Sequence, residues 1–161
     1  MTPPVTALLA SAVTVAALGA VLWPSRASSA QPSWPGVANA EQARTDYILK
    51  CQGCHRPDGN GDPRSNPPLR GTVAGFLAVS GGREYLGRVP GVAMTDLDDG
   101  RLADLLNWTL RRFDPDNLPT DFKPYTAAEI GHLRRAPLRT EAPRVRAELI
   151  TRMPPAAGAA K

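Results

Sequence analysis

The fold of this chain is decided by one short stretch, Cys51-Gln52-Gly53-Cys54-His55. Two cysteines two residues apart, followed directly by a histidine, form the attachment pattern of c-type haem. The spacing lets the thiols of Cys51 and Cys54 add to two vinyl groups on one edge of the macrocycle, while the imidazole of His55 swings under the iron. The motif therefore predicts one covalently attached haem, with His55 as the proximal ligand.

Other uses of a cysteine pair fit this sequence less well. A thioredoxin-like redox pair needs a strand–helix context that the chain lacks, and a disulfide between residues three apart would be strained. A zinc site would need two further ligands, and the histidines are limited to His55 and His132. Two cysteines also cannot hold a four-thiolate iron–sulfur site within one chain.

The composition is that of an ordinary globular chain. It has 161 residues, of which 42% are hydrophobic and 21% charged, enough for one domain with additions. The 17 prolines predict long irregular loops. A net charge of +4 is too small to indicate a nucleic-acid partner.

Residues 1–30 are predicted to direct the chain out of the cytoplasm. The run from Val5 to Trp23 carries no charge, and small residues follow it up to Ala30, where a signal peptidase would cut. No basic residue precedes the run, and its length approaches the roughly 20 residues that span a bilayer, so an uncleaved membrane anchor is the alternative. Residues 31–40 then form a linker.

A mostly α-helical fold is predicted because no strand pattern of any length is present. A helix over 41–50 leads into the cysteine motif and would present Tyr47 and Ile48 to a core. The clearest helix spans Asp99 to Phe113, where apolar residues recur at steps of three and four.

The remaining helix signals are shorter. One helix is expected around Val73 to Val79, and the stretch after it, GGREYLGRVPG, has no pattern that we can assign. Thr126 and Glu129 form a capping-box pattern that starts a helix to about Arg135. These signals divide the mature chain into a haem domain, 41–113, and a C-terminal extension, 114–161. The extension is predicted to hold two short helices, the one from Thr126 and another over 141–152, followed by a frayed tail.

The sixth iron ligand has three candidates, Met94, Met153 and His132. Met94 is favoured because it ends a Gly/Pro-rich loop 39 residues after His55, and such a loop can bring it across the haem face. Met153 is expected in the fraying tail, and His132 on a short helix as a surface residue. An iron with no sixth protein ligand is the remaining alternative.

These features resemble the class I c-type cytochromes, which are small monohaem electron carriers. The resemblance covers about residues 41–113 and rests on the cysteine motif, on the run Pro67-Pro68-Leu69, and on Met94 before an amphipathic helix. It implies a cytochrome c-like helical fold around one covalently attached haem c. It also implies that the carbonyl of Pro67 or Pro68 accepts a hydrogen bond from the proximal imidazole.

The resemblance implies an electron-transfer protein and not an enzyme. With His55 and Met94 bound, the iron would be saturated and would cycle between Fe(II) and Fe(III). The carrier would work in the periplasm, between a donor dehydrogenase or cytochrome complex and an acceptor cytochrome or oxidase. It would be attached to a membrane only if residues 1–30 are not cleaved. A haem subunit of a larger redox enzyme, or a small-ligand sensor with an open sixth position, are the alternatives.

Further residues are given roles by their place in this pattern. The helices that carry Tyr47 on one side and Leu106 and Leu110 on the other should cross. Candidate donors to the haem propionates are Arg83, Tyr85 and Arg88, and candidate apolar neighbours of the haem are Leu69, Phe76, Leu105 and Trp108. Six arginines between 134 and 152 form either a basic docking surface or a solvated helix face.

Overall fold

The computed structural model describes residues 34–62 and 65–154, all within one compact unit of the chain, Gln31–Lys161. The expected signal or anchor segment, residues 1–30, and residues 155–161 of the expected tail lie outside the described residues. Within the described ranges the fold is helical and has no strand, as predicted, and no helix is long and apolar enough to cross a membrane. In chain order the elements are α1 (Ala40–Lys50), α2 (Gln52–His55), a 3₁₀ helix (Ala74–Ala78), α3 (Gly82–Arg88), α4 (Pro90–Ala93), α5 (Asp99–Phe113), a second 3₁₀ helix (Pro115–Asn117), α6 (Ala127–Leu133) and α7 (Ala142–Ile150).

The central helix, α5, begins and ends where its periodicity predicts. Its first turn is capped by Asp98, whose carboxylate accepts a hydrogen bond of 2.9 Å from the Arg101 amide. Its apolar side chains are buried, and each buried leucine or phenylalanine contributes about 1.5–3 kcal/mol by leaving water. The buried apolar residues of α5 are Leu102, Ala103, Leu105, Leu106, Trp108, Leu110 and Phe113.

α1 packs against α5 through three aromatic rings. The Tyr47 ring centroid lies 4.9 Å from that of Phe113 and 5.5 Å from that of Trp108. Trp108 and Phe113 meet edge to face at 5.7 Å. The two helices therefore pack together through Tyr47, and Leu106 and Leu110 of α5 are buried as well.

The buried face of α1 differs from the prediction at one position. Ile48 is 39% exposed, so the expectation that it faces the core is wrong. The buried residues are instead Ala43, Asp46 and Tyr47, which recur at the three- and four-residue spacing of one helix face. Asp46 is 1% exposed because its carboxylate accepts hydrogen bonds from the Arg101 guanidinium on α5.

The segment between the first 3₁₀ helix and α5 is more regular than its sequence suggests. α3 and α4 begin without a side-chain cap, and helices of this length have little stability in isolation. Contacts hold α3 in place: the rings of Phe76 and Tyr85 lie 5.0 Å apart. Gly82 lies so close to the Phe76 backbone that a Cβ could not fit. Tertiary packing, which the local sequence does not reveal, therefore forms these two helices.

The C-terminal extension packs back on the helical core. α6 contacts α5 and α3, and α7 contacts α3. Thr126 caps α6 as predicted, accepting a hydrogen bond from the Glu129 amide. Asn107, which is fully buried on α5, exchanges two hydrogen bonds with the Tyr125 backbone, at 2.8 and 3.0 Å. Met153, the first residue of the predicted frayed tail, packs against the core, and Pro154 is the last residue that the structure describes.

Candidate haem site

The attachment motif forms a single helical turn at the end of α1. The amides of Cys54 and His55 both donate to the Cys51 carbonyl, at 3.1 and 2.9 Å. The Cys51 amide itself donates to the backbone carbonyl of Tyr47 at 2.9 Å, as in a continuing helix. Both thiols are free, with Cys51 half-buried and Cys54 exposed. The turn therefore carries two thiols and an imidazole within five residues, as double covalent attachment to one macrocycle requires.

The surface beside this turn is open and apolar. Leu49 is 68% exposed and Ile48 39% exposed, and a Cβ on Gly53 would meet no atom within 4 Å. Neighbouring exposed large apolar side chains mark a surface that another group covers. In the part of the chain that the structure describes, no three His, Cys, Asp or Glu side chains are grouped to hold a metal ion directly. The donor set of this turn therefore fits a haem c, whose iron is carried by the macrocycle.

The imidazole of His55 is held by a backbone carbonyl. Its Nδ1 lies 3.2 Å from the oxygen of Pro67, and because a carbonyl only accepts, Nδ1 carries the proton and Nε2 keeps the lone pair. The Pro68 carbonyl accepts from the Thr72 hydroxyl instead. Burial lowers the pKa of His55 below its ordinary value, and the hydrogen bond to Pro67 opposes this effect only in part. The imidazole is therefore neutral at neutral pH.

The loop that presents Pro67 depends on a glycine. Gly61 has a φ of 63°, in the left-handed region, and a Cβ there would collide with the carbonyls of Asn66 and Pro67. The Gly61 amide donates to the His55 carbonyl at 3.1 Å, and Asp62 and Asn66 form an isolated antiparallel bridge. These contacts fix the position of the Pro67 carbonyl relative to the imidazole.

Tyr47 fixes the chain on the other side of His55. Its hydroxyl donates to the Arg56 carbonyl at 2.6 Å. Arg56 has a φ of 62° and is the only non-glycine residue with positive φ in the described ranges, a conformation that needs support. Burial raises the pKa of Tyr47 to about 12, so its hydroxyl remains a donor. Tyr47, packed against Trp108 and Phe113 of α5, thus holds the residue that follows His55.

Met94 lies where α4 joins α5, in residues 93–99, which we call the Met94 loop. This loop lies at the end of α1. Met94 follows α4, its amide donates to the Pro90 carbonyl at 3.0 Å, and 56% of the residue is exposed. An open pocket of about 310 Å³ is lined by Met94 together with Lys50, the residue before the motif. An ion pair of 2.8 Å between Lys50 and Asp96 joins α1 to this loop. The loop therefore places a thioether in the same pocket as Lys50, the last residue of α1.

The other candidate ligands lie in different places. His132 is exposed on α6, where its Nδ1 is 3.1 Å from the guanidinium of Arg135. Met153 lines a second pocket, of about 290 Å³, together with Gly75 and Phe76. Of the three candidates, Met94 is the one whose pocket reaches the end of α1.

The polar side chains expected to meet the propionates have other partners. Arg83 pairs with Glu129 on α6 at 2.5 Å, and the Nε of Arg88 donates to the Ala136 carbonyl at 2.7 Å. Tyr85 is 7% exposed within the core. All three therefore serve to hold the extension or the core. Of the apolar residues expected near the haem, Phe76, Leu105 and Trp108 are buried and Leu69 is partly buried.

Arg134 is a residue near Met94 that the sequence does not predict. Its side chain is 18% exposed and donates to the carbonyls of Ala93, Thr95 and Leu97, on both sides of Met94. In the sequence it is one of six arginines in the same segment. The sequence carries no signal that separates it from the other five.

The chain is similar to two curated proteins named cytochrome c-552, both from Thermus thermophilus. It is 33% identical over 117 residues to the first, a match that covers 62% of this chain and 79% of that protein. It is 35% identical over 103 residues to the second, covering 53% of this chain and 79% of that protein. No family model matches the chain.

Proposed function

This chain belongs to the class I c-type cytochromes, which are electron-transfer proteins and not enzymes, and from that premise we propose how it binds one haem c. Cys51 and Cys54 form the two thioether bonds, and His55 is the proximal ligand. The observation that carries this assignment is the hydrogen bond between His55 and Pro67 in the attachment turn. It leaves Nε2 as the free, unprotonated nitrogen that iron requires.

Met94 is proposed as the second axial ligand. A haem held between an imidazole and a thioether supplies a one-electron couple between Fe(II) and Fe(III). The neutral thioether of Met94 favours the reduced state, and by filling the sixth position it excludes oxygen and peroxide. Leu105 and Trp108 are buried on α5, and they are proposed to keep water away from the interior side of the haem.

The cell compartment and the partners are part of the same proposal. The predicted export segment, residues 1–30, places the carrier in the periplasm, free after cleavage or anchored by that segment. Its donor would be a periplasmic dehydrogenase or cytochrome complex and its acceptor a further cytochrome or an oxidase. Encounters between such partners are brief and use small interfaces, at the low end of the known range.

Covalent attachment and one-electron chemistry are tested together in protein exported to the periplasm of a host with haem-attachment enzymes. We expect the wild type to keep its haem through extraction with acidified acetone and to accept one electron per chain in a redox titration. The double variant Cys51→Ala/Cys54→Ala should release its haem in the same extraction. His55→Ala should lose the low-spin spectrum, whereas His132→Ala, the matched control, should keep it. Extractable haem in the wild type, or an unchanged spectrum in His55→Ala, would overturn the proposal.

A further inference from the structure

The guanidinium of Arg134 is surrounded by acceptors from the Met94 loop. Its Nε donates to the Ala93 carbonyl at 3.2 Å, and its Nη1 donates to the Leu97 carbonyl at 2.7 Å. Nη2 donates to the Thr95 carbonyl. Nη1 also meets the Asp99 carboxylate, at the start of α5, at 3.0 Å. One side chain therefore binds the backbone immediately before and immediately after Met94.

Only an arginine can make this set of contacts. The guanidinium carries donors in a planar fork, whereas a lysine ammonium is a single compact charge on a flexible stem. Hydrogen bonds from a charged donor are stronger than those between neutral groups. Without Arg134, the carbonyls of Ala93, Thr95 and Leu97 would lose a partly buried partner, and each would need water or a rearranged loop to replace it.

The segment that carries Arg134 is itself firmly held. Arg134 directly follows α6, whose Ile130 is fully buried, and α6 packs on α5. Two residues later the chain pairs with Arg88, which donates to the Ala136 carbonyl at 2.7 Å and accepts from the Leu138 amide at 2.8 Å. The C-terminal extension is therefore bonded to the end of α3 as well as to the Met94 loop.

The end of this segment reaches the methionine itself. Nη1 of Arg139 lies 3.8 Å from the Met94 sulfur. The extension therefore contacts the backbone on both sides of Met94 and also its sulfur, while 56% of Met94 stays exposed.

We infer that Arg134 is a positioning residue for the axial methionine: it holds the loop on both sides of Met94 so that the thioether stays available to the iron. The inference rests on the proposed function, since it assumes that Met94 is the ligand. It assigns to the extension a role in ligand retention, separate from any docking role for its positive charge. A freed loop would let Met94 leave the iron more often, opening the sixth position.

The test compares Arg134→Met with Arg135→Met in the haem-loaded protein. Arg135 is the adjacent arginine, and its contact is with the exposed His132. The readouts are the long-wavelength charge-transfer band from methionine sulfur to ferric iron, and the rate at which the reduced protein binds carbon monoxide. For Arg134→Met we expect a weakened band and carbon monoxide binding faster by roughly 10- to 100-fold, the effect of one or two lost charge-assisted hydrogen bonds. Arg135→Met should match the wild type in both.

A purely structural role would give a different result. If Arg134→Met lowers the denaturation midpoint but keeps the band and the wild-type carbon monoxide rate, the inference is wrong. Arg134→Lys provides a second variant should Arg134→Met fail to fold, and it should bind carbon monoxide at an intermediate rate. A wild-type protein without the methionine band would instead overturn the assignment of Met94, and so the proposed function.

Discussion

The carbonyl oxygen of Pro67 lies 3.2 Å from Nδ1 of His55, and this contact joins the attachment turn to the loop that follows it. The pair determines which imidazole nitrogen carries the proton, and therefore which one can bind iron. A hydrogen-bonded imidazole is also a more basic ligand, so the same contact influences the reduction potential.

Replacing Gly61 by alanine should disturb this pair. A left-handed conformation costs an L-residue about 1–2 kcal/mol, and a Cβ at this position would also push against the carbonyls of Asn66 and Pro67. Gly71→Ala is the matched control, because its φ of 67° is similar but its surroundings are open. Urea denaturation of both holoproteins should show a larger loss for Gly61→Ala, with a shifted reduction potential only in that variant. Equal losses and equal potentials would show that the loop does not hold Pro67.

Removing the partner of the buried Asp46 should be costly. Asp46 is 1% exposed and is paired with Arg101 across the contact between α1 and α5. Arg101→Met would remove the cation and leave the buried carboxylate with the 3.0 Å hydrogen bond from Gln42, so it should lower stability clearly. Arg144→Met, which breaks the exposed Arg144–Glu148 pair, should cost at most about 0.5 kcal/mol. Thermal unfolding of the two variants makes the comparison, and similar midpoints would contradict it.

Tyr125 should make the protein less stable at high pH. Burial raises its pKa above the ordinary value of 10, and its hydroxyl donates to the Arg83 carbonyl at 2.8 Å. Above pH 10 the unfolded chain releases this proton while the folded chain keeps it, so stability is intact below pH 10 and falls as the pH rises further. The slope from one such group approaches about 1.4 kcal/mol per pH unit.

The variant Tyr125→Phe tests this sign. Its free energy of unfolding, measured by denaturant titration at several pH values, should fall less steeply above pH 10 than that of the wild type. Some slope should remain, because burial also raises the pKa of Tyr47 and Tyr85. Below about pH 9 the variant should be less stable by about 1 kcal/mol, for the lost hydrogen bond to Arg83. An unchanged slope above pH 10 would contradict the role of burial.

The sequence predicts correctly those helices whose capping residue and apolar spacing lie in or directly beside the helix itself. α5 combines a capping aspartate with apolar residues at helical spacing, and its predicted and observed bounds, Asp99–Phe113, coincide. α3 and α4 are not predicted, because seven and four residues without caps become helical only through contacts such as that of Gly82 with Phe76. The sequence places Ile48 on the wrong face because α1 has almost no apolar periodicity of its own, and a buried charge, Asp46, occupies its inner face.

The candidate site also has one part that the local sequence predicts and another that only contacts between distant segments create. The cysteine motif requires its residues to be neighbours in the chain, so its chemistry can be predicted from one short run, Cys51 to His55. Contacts between distant segments cannot be predicted in this way. The sequence leaves Pro67 and Pro68 as equal candidates for the hydrogen bond to the imidazole, and the structure places the Pro67 carbonyl there. Arg134, 40 residues after Met94, looks in the sequence like any charged residue on a helix surface.

The optical spectrum of the haem-loaded protein, recorded with and without Met94, shows directly whether this residue fills the sixth position of the iron. We expect the oxidised wild type to show the methionine-to-iron charge-transfer band, and the reduced wild type to show a low-spin spectrum that changes only slowly under carbon monoxide. Met94→Ala should lose that band and bind carbon monoxide, whereas Met153→Ala should behave as the wild type. A wild type that binds carbon monoxide rapidly, or a Met94→Ala variant that keeps the band, would contradict a carrier with His55 and Met94 as its axial ligands.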